Sequence, residues 1–204
     1  MTYPAEQWDF AVSKLAPAGV NYRMKLRELW ERYAASNNSY HNFNHIKYVL
    51  NAAEELCDRL EVNDEDRAIV YMAAFYHDVD YVPGSALNEV RAAILFADHM
   101  PFVKRGQAVM RAILETAPGV APQSYCGTLL VDADLAILGA NKSDYALYVS
   151  QIRDEYPTIT DEEFAAARAD FLEDMLNNYA HIWTHTYDQA ARANLCDELA
   201  IYRG

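Results

Sequence analysis

Apolar residues recur at helical spacing along nearly the whole chain. From Ala5 to Leu15 they are Trp8, Val12 and Leu15, and from Asn21 to Ala35 they are Met24, Leu26, Leu29, Trp30 and Tyr33. Two opening helices are predicted, divided at Pro17-Ala18-Gly19. Ser36-Asn37-Asn38-Ser39 reads as a turn, after which the segment from Tyr40 opens a third helix reaching about Leu60. Its stripe of Ile46, Val49, Leu50, Ala53 and Leu56 faces inward, while Glu54, Glu55, Asp58 and Arg59 face water.

Asn63-Asp64-Glu65-Asp66 supplies an N-cap and an acidic first turn, which suit the positive end of a helix. The run from Ala68 to Tyr76 that follows is apolar on every side, as expected of a helix packed against several others. Further helices are predicted from Ala86 to His99 behind a Ser85 cap, then to about Thr116, from Leu129 to a C-terminal Gly139, and from Ser143 to Tyr156. Thr160-Asp161-Glu162-Glu163 has the form of a capping box and starts a helix to about Tyr179. A last helix covers about Tyr187 to Tyr202. With no alternating strand pattern and no Gly-rich phosphate loop, the chain reads as all-α, with roughly eight to ten helices.

At 204 residues, 52% of them hydrophobic, the chain can bury its own core as one domain. The expected layout is a single domain, 1–204: N-terminal helices over 1–36, a core carrying the candidate chemistry over 40–139, and C-terminal helices over 143–204. Seventeen Lys and Arg against 30 Asp and Glu give a formal charge of −13, which disfavours nucleic-acid polymers and anionic membranes as partners. A small phosphorylated substrate stays open, because a bound cation can reverse the potential of one pocket. Cys57, Cys126 and Cys196 are odd in number and in no CxxC spacing, so they are expected to be reduced thiols used as small core residues. The start, Met1-Thr2-Tyr3-Pro4-Ala5-Glu6, has no basic segment followed by an apolar one, and a soluble, cytoplasmic protein is expected.

The chemistry is carried by polar residues in the wrong places. His77 and Asp78 interrupt the most apolar helix, and Asp132 and Asp134 interrupt another. A buried carboxylate is costly unless a cation or metal compensates it, and no Lys or Arg lies near in sequence. A divalent ion beside the end of the central helix would resolve both anomalies, with His45 upstream and Asp134 downstream completing the donors. Asp132 would point about 200° away from Asp134 on an ideal helix. Only one of the two is therefore expected as the last ligand, and the other as a carboxylate that orients a ligand histidine or caps a neighbouring backbone. His41, one turn before His45, is read as a pocket residue with a ligand role open. His181 and His185 share that spacing but, beside Trp183 and Tyr187, read as surface or packing residues.

The order His45, His77-Asp78, Asp134 resembles the HD superfamily of metal-dependent phosphohydrolases. Tyr40-His41-Asn42 with His45-Ile46, Asn88-Glu89, and Asp132-Ala133-Asp134-Leu135 with Leu138-Gly139 look like one compact bacterial branch of that superfamily. Arg153 with Glu155-Tyr156, and Ala191-Arg192 with Asn194-Leu195, extend the likeness, so that it covers most of the chain from Tyr40 onward. Tyr76 departs from the Phe expected before the doublet. The resemblance implies an HD-type helical bundle, and His45, His77, Asp78 and Asp134 as metal ligands. Two-metal members draw extra histidines from the interval before the final Asp, where this chain has only His99, so one ion is expected. A mixed nitrogen and oxygen donor set suits Mn, Fe, Co, Ni, Zn or, less well, Mg.

The function this implies is hydrolysis of a small phosphate ester, a nucleotide above all, by a metal-activated water. Asp78, Glu89 and Asp80 are the candidate catalytic carboxylates, with Glu89 favoured because it matches the family's Asn-Glu element. Lys47, Arg91 and Arg153 are candidate phosphate contacts. The alternatives are an HD-type iron oxygenase, and a non-catalytic module that binds a metal or nucleotide.

Overall fold

A computed structural model describes residues 4–19, 21–178 and 188–203. Among these residues there are ten α-helices and no strand, the all-α fold expected of an HD-type helical domain. They group into two compact units, Met1–Asp134 and Leu135–Gly204. His181 and His185, with Trp183 and the helix limits expected at Tyr179 and Tyr187, lie outside the described residues.

The first unit holds α1 (Ala5–Leu15), α2 (Arg23–Ala35), α3 (Phe43–Arg59), α4 (Asp64–Tyr76), α5 (Asn88–His99), α6 (Gly106–Leu114) and α7 (Tyr125–Asp134). Helix α4 is the axis. Every residue from Ala68 to Tyr76 is buried, and α1, α3, α5, α6 and α7 all pack against it. Asn63 starts it by accepting from the backbone N–H groups of Glu65 and Asp66 at 3.1 and 3.0 Å. Trp8 of α1 seals one side, its ring 5.1 Å edge-on from Phe75.

Three boundaries differ from the sequence reading in ways that shape the site. Helix α3 begins at Phe43 because Asn42 caps it, accepting from Asn44 N at 2.8 Å, so Tyr40 and His41 lie in the preceding turn. Helix α5 begins at Asn88, not Ala86, and Ser85 accepts from Leu87 N within the loop without capping the helix. Helix α7 starts earlier than expected and stops at Asp134, where the backbone tightens into a 3-10 turn over Leu135–Gly139. Gly139 does not adopt a left-handed conformation.

The second unit holds that turn with α8 (Lys142–Asp154), α9 (Asp161–Asn178) and α10 (Asp188–Arg203). The capping box forms as expected: Thr160 N donates to Glu163 at 2.9 Å and Glu163 N to Thr160 Oγ1 at 3.2 Å. Arg168 and Glu198 form a buried two-bond ion pair at 2.9 and 3.1 Å, and Tyr145 OH donates to the same carboxylate at 2.5 Å. Asn194 of α10 donates to the carbonyls of Leu138 and Ala140, both at 2.9 Å.

All three thiols are free. Cys57 and Cys126 are buried, and burial raises their pKa values to about 11 and about 12, as suits inert core residues. Cys196 departs from the expectation: it is exposed, on the solvent side of α10.

Candidate metal centre

Three segments of the first unit converge at one end of α4. His45 lies in the first turn of α3 and His77 directly follows the last residue of α4. Asp78 sits in the turn after it, and Asp134 is the last residue of α7. Each contributes one donor atom, and the four atoms lie within 4.8 Å of one another. His45 Nε2 is 3.1 Å from both Asp78 Oδ2 and Asp134 Oδ1. His77 Nε2 is 3.2 and 3.4 Å from the same two oxygens and 3.3 Å from His45 Nε2.

These separations fit a shared ion. Donors about 2.0–2.2 Å from one divalent cation stand about 3.0–3.5 Å apart when they are neighbours in its shell. The tautomer fits as well. His77 Nδ1 lies 2.9 Å from the Ala74 carbonyl, which requires a proton on that nitrogen and leaves the Nε2 lone pair aimed at the cluster. His45 Nδ1 is buried without a hydrogen-bond partner, so the ring's polar contacts are all on the cluster side.

The electrostatics say the same. Burial pushes both imidazole pKa values down, yet Asp78 and Asp134 outweigh it, leaving His45 raised and His77 raised well above its ordinary value. Burial pushes the two carboxyls up, and the two histidines reverse that, so Asp78 and Asp134 both end below the usual carboxylate range. Two acids and two imidazoles this close, and this dry, call for positive charge between them. Protons or one cation can supply it.

The surroundings decide access. The His45 and His77 side chains are 2% and 1% exposed, against 10% for Asp78 and 24% for Asp134, so the cluster is sealed behind its imidazoles and opens on its carboxylate side. Glu89, in the first turn of α5, is buried. Its pKa is raised, first by burial and also by the charges of Asp78 and Asp134. Asn88 fixes that turn of helix. Its amide donates to Val82 O at 3.1 Å and accepts from Val82 N at 3.0 Å, clasping α5 to the loop that leaves the His-Asp pair.

The other candidates are placed differently. Asp132 is buried on α7 but does not join the four donors. His41 stacks on Tyr81 with ring centroids 3.7 Å apart and lies 5.7 Å from the His45 ring, beside the cluster and not in it. His99 is drawn to Glu28 at 3.6 Å. Asp80 is exposed and paired with Arg32 at 2.5 Å.

The three candidate phosphate contacts have partners of their own. Lys47 lies over the rings of Trp30 and Phe43 at 5.8 and 5.9 Å. Arg91 braces the loop, donating to Ser85 Oγ at 3.2 Å and Asn88 Oδ1 at 2.5 Å. Arg153, in the second unit, holds the turn between α8 and α9 through Tyr156 O, Ile159 O and Asp161. The partners that sequence reading missed are Tyr81, Arg32 and the Ala74 carbonyl. Position alone gave no cue to the last two, whereas Tyr81 follows the doublet closely enough to have been suspected.

Residues 42–115 match the family model described as HD domain. Three of the four donors fall inside that stretch, and Asp134 lies beyond its end. No curated protein and no solved structure matches the chain.

Proposed function

We propose that this HD-domain protein is a metal-dependent phosphohydrolase that cleaves a small phosphate ester, a nucleotide being the favoured substrate class. The observation that supports the reading is the convergence of His45, His77, Asp78 and Asp134 on a space the size of one ion. The nucleotide clause is taken from the superfamily. A divalent ion bound there supplies Lewis acidity toward a phosphoryl oxygen and makes water more acidic.

The chain's own groups do the rest. His77 is held by Ala74 O so that its Nε2 stays turned toward the cluster, and the buried imidazole faces keep bulk water from that side. Substrate reaches the open Asp134 side. Glu89, whose pKa is raised by burial and by the charges of Asp78 and Asp134, delivers a proton to the leaving oxygen. His41, braced by Tyr81, borders the approach and contacts the substrate. His41 and His99 stand outside the four-donor group, which favours one ion over two and hydrolysis over oxygenase chemistry.

The test is phosphate release from a panel of phosphorylated metabolites with added Mn²⁺. The parent is expected to release phosphate from at least one nucleotide, and His77→Ala and Asp78→Ala to release none. A parent inactive on the whole panel, or variants as active as the parent, would contradict the proposal.

A further inference from the structure

The turn that presents Asp78 is closed by a hydrogen bond from Tyr81 N to Asp78 O at 3.1 Å. Asp80 is its third residue, and its φ is 60°, in the left-handed region. Most side chains with a Cβ are disfavoured in that conformation, whereas Asp and Asn tolerate it. The turn is also pinned from outside. Arg32 of α2 grips the Asp80 carboxylate at 2.5 Å, and Asn38 Nδ2 donates to Tyr81 O at 3.0 Å.

From this we infer that Asp80 is a positioning residue for the metal centre: its left-handed backbone and its Arg32 clamp set the direction in which Asp78 presents its carboxylate. The inference rests on reading the four-donor cluster as a metal centre. It assigns Asp80 no proton transfer. An exposed carboxylate already committed to a guanidinium is poorly placed to exchange protons with a substrate at the buried cluster. What the turn needs from position 80 is a residue that accepts positive φ and can accept a hydrogen bond from Arg32.

Three substitutions separate the roles. Asp80→Asn keeps both requirements and removes the acid. Asp80→Val violates both. Asp80→Gly keeps the backbone freedom and removes the clamp. Mn²⁺ affinity of the purified proteins by titration calorimetry is the readout, with thermal melting of each metal-free protein alongside. Asp80→Asn is expected to bind Mn²⁺ within about twofold of the parent and Asp80→Val at least about tenfold more weakly, the scale for groups that orient ligands. Asp80→Gly is expected to fall between them, and it stands in should Asp80→Val fail to fold. Equal Mn²⁺ affinity in all of the variants overturns the inference. So does an Asp80→Asn protein that binds Mn²⁺ normally yet loses the acidic limb of the parent's pH–rate profile, since Asp80 would then be carrying the proton. The affinity arm stands even if the parent hydrolyses nothing, so failure here and failure of the hydrolase reading are distinguishable.

Discussion

His45 Nε2 and His77 Nε2 face each other at 3.3 Å, and each also faces the carboxylates of Asp78 and Asp134. Because the His77 proton is held at Nδ1 by Ala74 O, two neutral rings with free Nε2 atoms would set lone pair against lone pair. Without metal, protons must fill the gap, and this makes the stability of the metal-free protein depend on pH in a definite direction. The imidazole pKa values are raised above 6.5, so their stabilisation is complete below that value and is lost as pH rises through the raised ones. The carboxyl pKa values are lowered below 3.8, so theirs is present above that value and is lost as pH falls through the lowered ones. Calorimetry of stripped protein should show Tm falling as pH is raised above 6.5, and the Tm gained by adding Mn²⁺ growing over the same range as metal replaces protons. A Tm of the stripped protein that climbs with pH would oppose this account.

Asp134, and not Asp132, is the carboxylate that joins the imidazoles. Asp134→Asn should weaken Mn²⁺ binding by more than about a hundredfold, whereas Asp132→Asn should cost no more than the about 10- to 100-fold typical of residues that orient ligands. Titration of the two variants side by side checks the assignment, and a larger loss in Asp132→Asn would reverse it.

Glu89 is buried beside the charges of the cluster without being one of its donors. Glu89→Gln should leave Mn²⁺ affinity unchanged and lower the rate of phosphate release by about 10²-fold or more, the usual size of a general acid–base contribution. A rate within a few-fold of the parent would remove Glu89 from the proposed chemistry.

In the second unit, Arg168 and Glu198 are 6% and 5% exposed and bonded to each other twice. Arg168→Met strands a buried carboxylate and should cost about 3–5 kcal/mol in denaturant unfolding. The double variant with Glu198→Leu should recover much of that loss, because two apolar residues leave no buried charge unpaired. No recovery would mean that the packing of Arg168 against Phe171 and Tyr148 matters more than the ion pair.

Much of the fold and the four-donor set could be read in the sequence because their signals are local or contrasting. The helical spacing of Ile46, Val49 and Leu50 and the capping box at Thr160 are local, and His77-Asp78 stands out against the apolar run it interrupts. The remainder depends on backbone geometry or on distant partners. Leu135–Gly139 keeps a helical apolar pattern, so the change of winding after Asp134 was hidden. Asp80 looks like any acid near a site until its φ and its Arg32 partner are known. The bonds of Arg153 to Tyr156 O and Ile159 O arise from the turn between two helices, which residue types do not announce.

The claim on which the rest depends is that His45, His77, Asp78 and Asp134 jointly hold a divalent ion. Calorimetric titration of metal-stripped protein with Mn²⁺ tests it without reference to any substrate. One ion per chain in the parent, and none in His77→Ala, is the result this account predicts; absent binding in the parent, or undiminished binding in His77→Ala, would contradict it.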